Sequence, residues 1–218
     1  MPDVTVVVVT YNALPWLERC LDSVRGEDIV IVDHGSTDGT LDLVRERGLR
    51  LIEQDNRGMG GGNNAGMRIA EGRYFFLLNS DAWVVGDGLR EIVAFAEGRP
   101  RAAVVAPRLL NTDGTLQRSV RGEPSLWALA TEYLFIRKLA SGSPRLNPLY
   151  AGGFAHDEDR QVESLFGPAL LVRREAADEV GLFDESFFMF SEEVDWLTRF
   201  RRAGWEVWFT PRAEVMHV

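Results

Sequence analysis

Cysteine is almost missing from this chain: of 218 residues only Cys20 carries a thiol. An intramolecular disulfide is therefore excluded, and a reducing compartment is the expected setting. Long apolar runs are missing too. No stretch reaches the roughly 18 residues that a membrane-spanning helix needs, and the N-terminus enters a strand pattern at once rather than a signal peptide. The cytoplasm is the expected location. Cations are in deficit, 24 against 33 acids for a net charge of −9. That argues against a nucleic-acid partner, whose binding rests largely on Lys and Arg neutralising phosphates. Arg118, Arg121, Arg137 and Lys138 run against this balance; they read first as solvated surface and second as a local basic face. Two phosphate-binding signatures are also absent. The turn after the first strand, "TYNALP", has no glycine, so no G-x-G-x-x-G brings backbone close to a dinucleotide pyrophosphate, and no G-x-x-x-x-G-K-[ST] occurs. No internal repeat or linker splits the chain.

What is present alternates cleanly. "VTVVVV" is a β-branched run with the pattern of a strand buried on both faces. "NALPWLERCLDSV" follows as a helix, with Asn12 as cap and Pro15 in its first turn. Strand "DIVIVD", helix "GTLDLVRERG", strand "LRLIEQ", helix "NNAGMRIAEG", strand "YFFLLN", helix "GLREIVAFAEG" and strand "AAVVAP" complete the series. This order predicts an α/β fold: a mostly parallel Rossmann-like sheet with helices on both faces. After Pro107 the texture becomes mixed. "NTDGT" reads as a tight turn, and residues 120 to 160 as loops around one helix near "LWALATEYLFIRKL". "SLFGPALLV" reads as a strand, "SEEVDWLTRFRRAG" as a helix capped by Ser191, and "WEVWFT" as a last strand. A single domain over 1–218 is expected, with a nucleotide-binding half (1–107) and a smaller, mixed, acceptor-binding half (108–218).

Ligands of such sheets bind beyond the C-terminal strand ends. Four consecutive ends here carry acids or amides: Tyr11 and Asn12, Asp33, Asp55 and Asn56, then Asn79 and Asp81. One such residue is unremarkable, because strands must end somewhere; four in a row suit the base and ribose of a nucleotide. The glycine-rich run "RGMGGGNNAG" lies too late for a phosphate loop and reads as a flexible turn ahead of a helix. A rim bearing Asp33, Asp55 and Asp81 repels a diphosphate unless a cation intervenes. A hard, oxygen-liganded divalent ion bridging Asp81 to phosphate oxygens resolves the conflict, and it would stabilise a departing diphosphate.

The segments "VVVVTYNALPWLERCLDSV", "VDHGSTDGT", "DNRGMGGGNNAGMRIAEGRYFFLLNSDA" and "VGLFDESFFMFSEEVDWLTRFRRAGWEVWFTPRAEVMHV" resemble the family 2 glycosyltransferases of GT-A fold, in their bacterial rhamnosyltransferase-like branch. The resemblance covers nearly the whole chain and is weakest from about 120 to 160. It implies an inverting, metal-dependent transfer of a hexosyl or rhamnosyl group, helped by Mg²⁺ or Mn²⁺. The donor would be a UDP- or dTDP-linked sugar and the acceptor a glycan or lipid-linked hydroxyl, in cell-surface polysaccharide or glycoconjugate synthesis. A peripheral contact at the inner face of the cell membrane would accompany it.

Carried over by position, "NSD" matches the family's D-x-D, with Asp81 as metal ligand and Asn79 where an acid often stands. Asp33 matches an acid that hydrogen-bonds the nucleobase, with His34 replacing a usual Asn. Thr10, Tyr11 and Asn12 match the first-strand end that lines the base, and Asn56, Gly58 and Asn64 the loop packed on the nucleoside. Ser80 completes the nucleotide set, and His217 matches a further metal or diphosphate ligand. Glu193, in "SEEVDW", stands at the place of the family's catalytic Asp. Acids in a first helical turn are favoured by the helix dipole in any protein, so the motif carries this assignment, with Asp195 as fallback. The chain ends one residue after His217, where family members usually continue, so it is expected to be either a shortened form or one lacking part of the lid and acceptor contacts. A nucleotidyltransferase, or a non-catalytic sugar-nucleotide-binding domain, is the alternative.

Overall fold

A computed structural model describes residues 3–123, 125–139 and 142–218. Its first half is the expected alternation with one unexpected short strand, β5, added after β4: β1 (Val4–Thr10), α1 (Leu14–Ser23), β2 (Asp28–Asp33), α2 (Thr40–Glu46), β3 (Arg50–Glu53), α3 (Gly58–Ile69), β4 (Tyr74–Leu78), β5 (Ala82–Val84), α4 (Gly88–Glu97) and β6 (Ala102–Leu110). The second half adds β7 (Leu116–Gln117), β8 (Val120–Arg121), α5 (Leu126–Tyr133), β9 (Arg160–Gln161), β10 (Ser164–Leu165), β11 (Ala169–Arg173), α6 (Arg174–Val180), α7 (Glu192–Arg202) and β12 (Glu206–His217).

One sheet runs through both halves in the order β3-β2-β1-β4-β11-β6-β12-β5, with β7 on β6 and β9 on β12. β1 pairs in parallel with β2 and β4, Val6 lying opposite Ile29 and Phe76. All seven residues of β1 are buried, as its unbroken β-branched run requires of a strand covered on both faces. One apolar cluster packs α1, α2 and α4 on one face; a second packs α6, α7 and Met67 of α3 on the other.

Four expectations are revised. The strand after β4 in the sheet is β11, not β6, and it runs antiparallel to both. The "SLFGPALLV" strand breaks at Phe166–Pro168: its first part, β10, pairs with β8 in a separate two-stranded sheet. The last strand continues past Thr210 through Pro211 to His217, because a register shift between Thr210 and Glu214 lets the chain resume pairing. The glycine-rich run is not a flexible turn but the first turns of α3. A Cβ at Gly62 would lie 2.8 Å from Val9 Cγ1, and one at Gly66 2.3 Å from Val7 Cγ1. These two, one helical turn apart, let the helix lie directly on β1, while a Cβ at Gly58 would meet the backbone of Phe188 instead.

Candidate active site

The strand ends do form one rim, and a cavity of about 240 Å³ opens along it. Thr10 and Tyr11 border it from β1, Asn56, Gly58 and Met59 from the start of α3, and Asn79, Ser80 and Asp81 from the end of β4. His34 also borders it, and Met189 closes one side. Tyr11 leaves 59% of its surface exposed, so its ring is open to a ligand.

Three residues expected at the nucleotide have their side chains committed elsewhere. Asp33 is fully buried. One of its carboxylate oxygens accepts from the backbone N–H groups of Gly35 and Ser36, the other from the hydroxyls of Thr10 and Ser36, at 2.6–2.9 Å. Four donors fill the acceptor capacity of a carboxylate, so Asp33 clasps the turn after β2. Burial pushes its carboxyl upward, but these hydrogen bonds outweigh burial and hold it below the usual range. Asn12, at φ 51°, ties the β1 and β2 turns together: its Oδ1 accepts from Thr37 N, and its own N–H donates to Ser36 Oγ. It does not cap α1, whose N-cap is Ala13. Asn64 pins α3 to the chain before α7, accepting from Phe183 N and donating to Phe183 O and Glu185 Oε1.

His34 takes the place intended for Asp33. It is buried beside the cavity, with its Nε2 3.1 Å from Gln54 Nε2. Burial lowers its pKa despite opposing effects from Asp33 and Asn56, which keeps the imidazole neutral. The sequence offered only its position, next to a strand-end acid.

Asp81 and His217 meet across β5. β12 pairs antiparallel with β5, setting His217 opposite Ala82, and His217 Nε2 lies 3.4 Å from Asp81 Oδ1. The other ring nitrogen, Nδ1, lies 2.8 Å from Gln117 Oε1, while Gln117 Nε2 donates to Asn111 Oδ1. A carboxamide oxygen only accepts, so Nδ1 carries a proton and Nε2 is the nitrogen turned towards Asp81. A carboxylate oxygen and an imidazole nitrogen facing one point suit a divalent cation. Among the described residues no cluster of three or more His, Cys, Asp or Glu forms, so the remaining ligands would come from diphosphate oxygens and water. Gln117 had no sequence signal at all. Cys20 lies beneath this corner, its Sγ 3.5 Å from Asn79 O, and burial raises its pKa so that the thiol stays protonated.

A second cavity, of about 170 Å³, shares Met59, Asn79 and Met189 with the first and ends at Glu192 and Glu193. α7 is held rigidly behind it. Trp196 Nε1 donates to Gly181 O, and Arg199 donates to Val180 O and Leu182 O. Asp195 is taken by Arg199 at 2.8 Å, outside the cavity. Glu193 instead has a buried Oε2 with no hydrogen-bond partner. Burial, aided by the charge of Glu192 and opposed by a hydrogen bond from its own N–H, pushes its pKa up to about 7. Ser191 stands at the N-cap position of α7 as expected, but its side chain makes no capping bond; it and Phe190 sit at φ 72° and 67°. Two consecutive left-handed non-glycine residues mark backbone strain beside the carboxylates.

Comparison with known proteins identifies the family and the fold. Residues 5–181 match the model of the family described as Glycosyl transferase family 2. The N-acetylglucosaminyl-diphospho-decaprenol L-rhamnosyltransferase of Mycobacterium tuberculosis is 34% identical, over 97% of this chain and 75% of that protein. GalNAc-T7, solved with UDP, GalNAc and Mn²⁺, superposes over the whole chain with a TM-score of 0.71 at 16% identity. The mannosyltransferase of Pyrobaculum calidifontis, solved with GDP-Man and Mn²⁺, covers 99% of the chain with a TM-score of 0.67 at 22% identity. The chain spans 44% and 56% of those two solved chains. These matches set aside the nucleotidyltransferase reading: the fold is GT-A, and the chain belongs to the family 2 glycosyltransferases of glycan synthesis.

Proposed function

We propose that the chain transfers a hexosyl or rhamnosyl group, with inversion, from a UDP- or dTDP-linked donor to a hydroxyl of a lipid-linked glycan. The carrying observation is the placement of Glu193. Its side chain, whose buried Oε2 has no hydrogen-bond partner, lines a cavity that shares Asn79 and Met59 with the cavity bordered by Asp81. Tyr11, His34 and Asn56 would hold the nucleoside, and Asp81 and His217 a Mg²⁺ or Mn²⁺ ion. When bound, that ion supplies positive charge to the leaving diphosphate.

Glu193 would take the acceptor hydroxyl's proton as the oxygen bonds to the anomeric carbon. The bond from that carbon to the donor's phosphate oxygen breaks, and its electron pair leaves with the diphosphate. One base opposite one leaving group means one displacement, hence inversion. The relative's printed name, with its rhamnosyl group and diphospho-decaprenol acceptor, supports the choice of substrates, and such an acceptor would bring the chain to the inner face of the membrane. The test is to supply UDP- and dTDP-sugars with a prenyl-diphospho-sugar acceptor and read the new anomeric centre by NMR. A retained configuration, or hydrolysis with no transfer from any donor, would overturn the reading.

A further inference from the structure

Beyond Glu193 a third cavity, of about 340 Å³, continues past Phe166. Its walls mix one cation with apolar groups: Arg121 of β8, Leu129 of α5, Leu149 and Tyr150. Arg121 is half-buried, with its guanidinium 4.7 Å above the Tyr150 ring. Among the described residues it makes no ion pair, whereas Arg137, on the same ring at 5.1 Å, is paired with Glu132. Burial lowers the pKa of Arg121. A partly desolvated, uncompensated cation is costly unless an anion arrives, and guanidinium groups suit phosphate.

The element forming one wall is unusual on its outer side. Leu126, Trp127, Tyr133, Leu134, Phe135 and Leu139 are between 53% and 89% exposed. Only Ala128 and Thr131 of α5 are buried, and the helix ends at Tyr133. Exposed large apolar side chains this dense in one segment mark an interaction site. Its setting is basic, with five cations against two carboxylates between residues 118 and 145 of a chain whose net charge is −9.

We propose that this cavity and the outer face of α5 together bind the acceptor as a sugar carried on an isoprenoid diphosphate. The sugar hydroxyl meets Glu193, the diphosphate meets Arg121, and the isoprenoid chain lies along Leu126, Leu134 and Leu139. The three parts of such a molecule occur in the order in which the structure sets out a base, a cation and an apolar face. This rests on the glycosyl-transfer reading above and gives that acceptor its place.

The experiment uses farnesyl diphosphate as probe, with EDTA present so that no metal draws its diphosphate into the donor cavity, and binding is followed by calorimetry. Farnesyl diphosphate should bind at least tenfold more tightly than farnesol or inorganic diphosphate. Arg121→Gln should remove that advantage while leaving farnesol binding unchanged, and Arg121→Lys should keep part of it. Joint replacement of Leu126, Leu134 and Leu139 by Ser should weaken both lipids. Wild-type affinity for farnesyl diphosphate in Arg121→Gln would overturn the proposal. So would binding to phosphatidylglycerol vesicles with no affinity for farnesyl diphosphate, which would make the face a general membrane contact. The donor reading is checked separately, by the shift in Tm with UDP and Mn²⁺; its loss in the wild type would count against glycosyl transfer and not against the farnesyl diphosphate site.

Discussion

At the scale of single residues, the carboxylates of Glu193 and Asp33 carry opposite pKa shifts. Glu193, raised to about 7 by burial, would be matched to neutral pH as the proposed base. Only its ionised form accepts a proton, so turnover should fall about tenfold per pH unit below 7, measured with saturating donor. Glu193→Gln keeps the shape and should leave donor affinity intact while turnover drops by roughly 10²–10⁴. The same substitution should raise stability. A folded-state pKa above the unfolded value means that ionisation disfavours the fold as pH rises between about 4.5 and 7. Removing the charge should therefore add on the order of 2–3 kcal/mol at pH 8 and nothing at pH 4. A Glu193→Gln variant less stable than wild type at pH 8 would contradict the buried, unpartnered carboxylate. Asp33 behaves inversely. Its lowered pKa contributes stability above the unfolded value, and that contribution is lost as pH falls through the folded value. Asp33→Ala leaves four donors unsatisfied and should cost about 3 kcal/mol or more in urea unfolding. Nucleotide affinity should fall only as far as folding does.

At the scale of elements, α3 shows why glycine cannot be read from composition. A glycine in a helix interior costs roughly 1 kcal/mol relative to alanine, so four in the first five residues of α3 look like a loop. Glycine stands there because packing leaves little room for side chains, against β1 at Gly62 and Gly66 and against Phe188 at Gly58. Gly66→Ala, which would favour an isolated helix, should instead lower stability by about 1–3 kcal/mol, since the new methyl overlaps Val7. Gly58→Ala acts on function. It is strained at φ 73°, and its Cβ would meet Phe188 O at 1.8 Å, so the segment that carries Met189 must move. Nucleotide affinity measured by calorimetry should fall further than Tm accounts for; unchanged affinity would separate that segment from the donor cavity.

At the scale of the whole molecule, the meeting of Asp81 and His217 depends on a strand pairing that spans most of the chain. His217 reaches Asp81 because β12 crosses the sheet, shifts register after Thr210 and closes on β5. Nucleoside diphosphate should raise Tm more with Mn²⁺ than with EDTA, by linkage to the native state. Asp81→Ala should abolish the difference. Gln117→Leu should reduce it by freeing the His217 tautomer, since such outer partners are typically worth 10–100-fold in metal affinity. Equal Tm gains with and without metal in the wild type would remove the metal from the proposed reaction.

The sequence by itself determined what short-range pattern controls. Strand and helix periods gave the alternation of β1 to β6, parallel topology put the ends of β1 to β4 on one rim, and Asp81 stood out as a carboxylate closing a buried run. The tertiary structure decided everything that depends on where distant segments meet. It inserted β11 between β4 and β6, turned Asp33, Asn12 and Asn64 into clasps, and set His34 at the cavity. It also joined Gln117 to His217 across 100 positions. The reason is physical: a side chain's role depends on which donors and acceptors fill its capacity, and where those partners are distant, as Gln117 is from His217 and Phe183 from Asn64, sheet pairing and helix docking supply them. Glu193 and Asp195 differ by two positions on one helix, yet only packing shows that one meets Arg199 and the other an empty cavity.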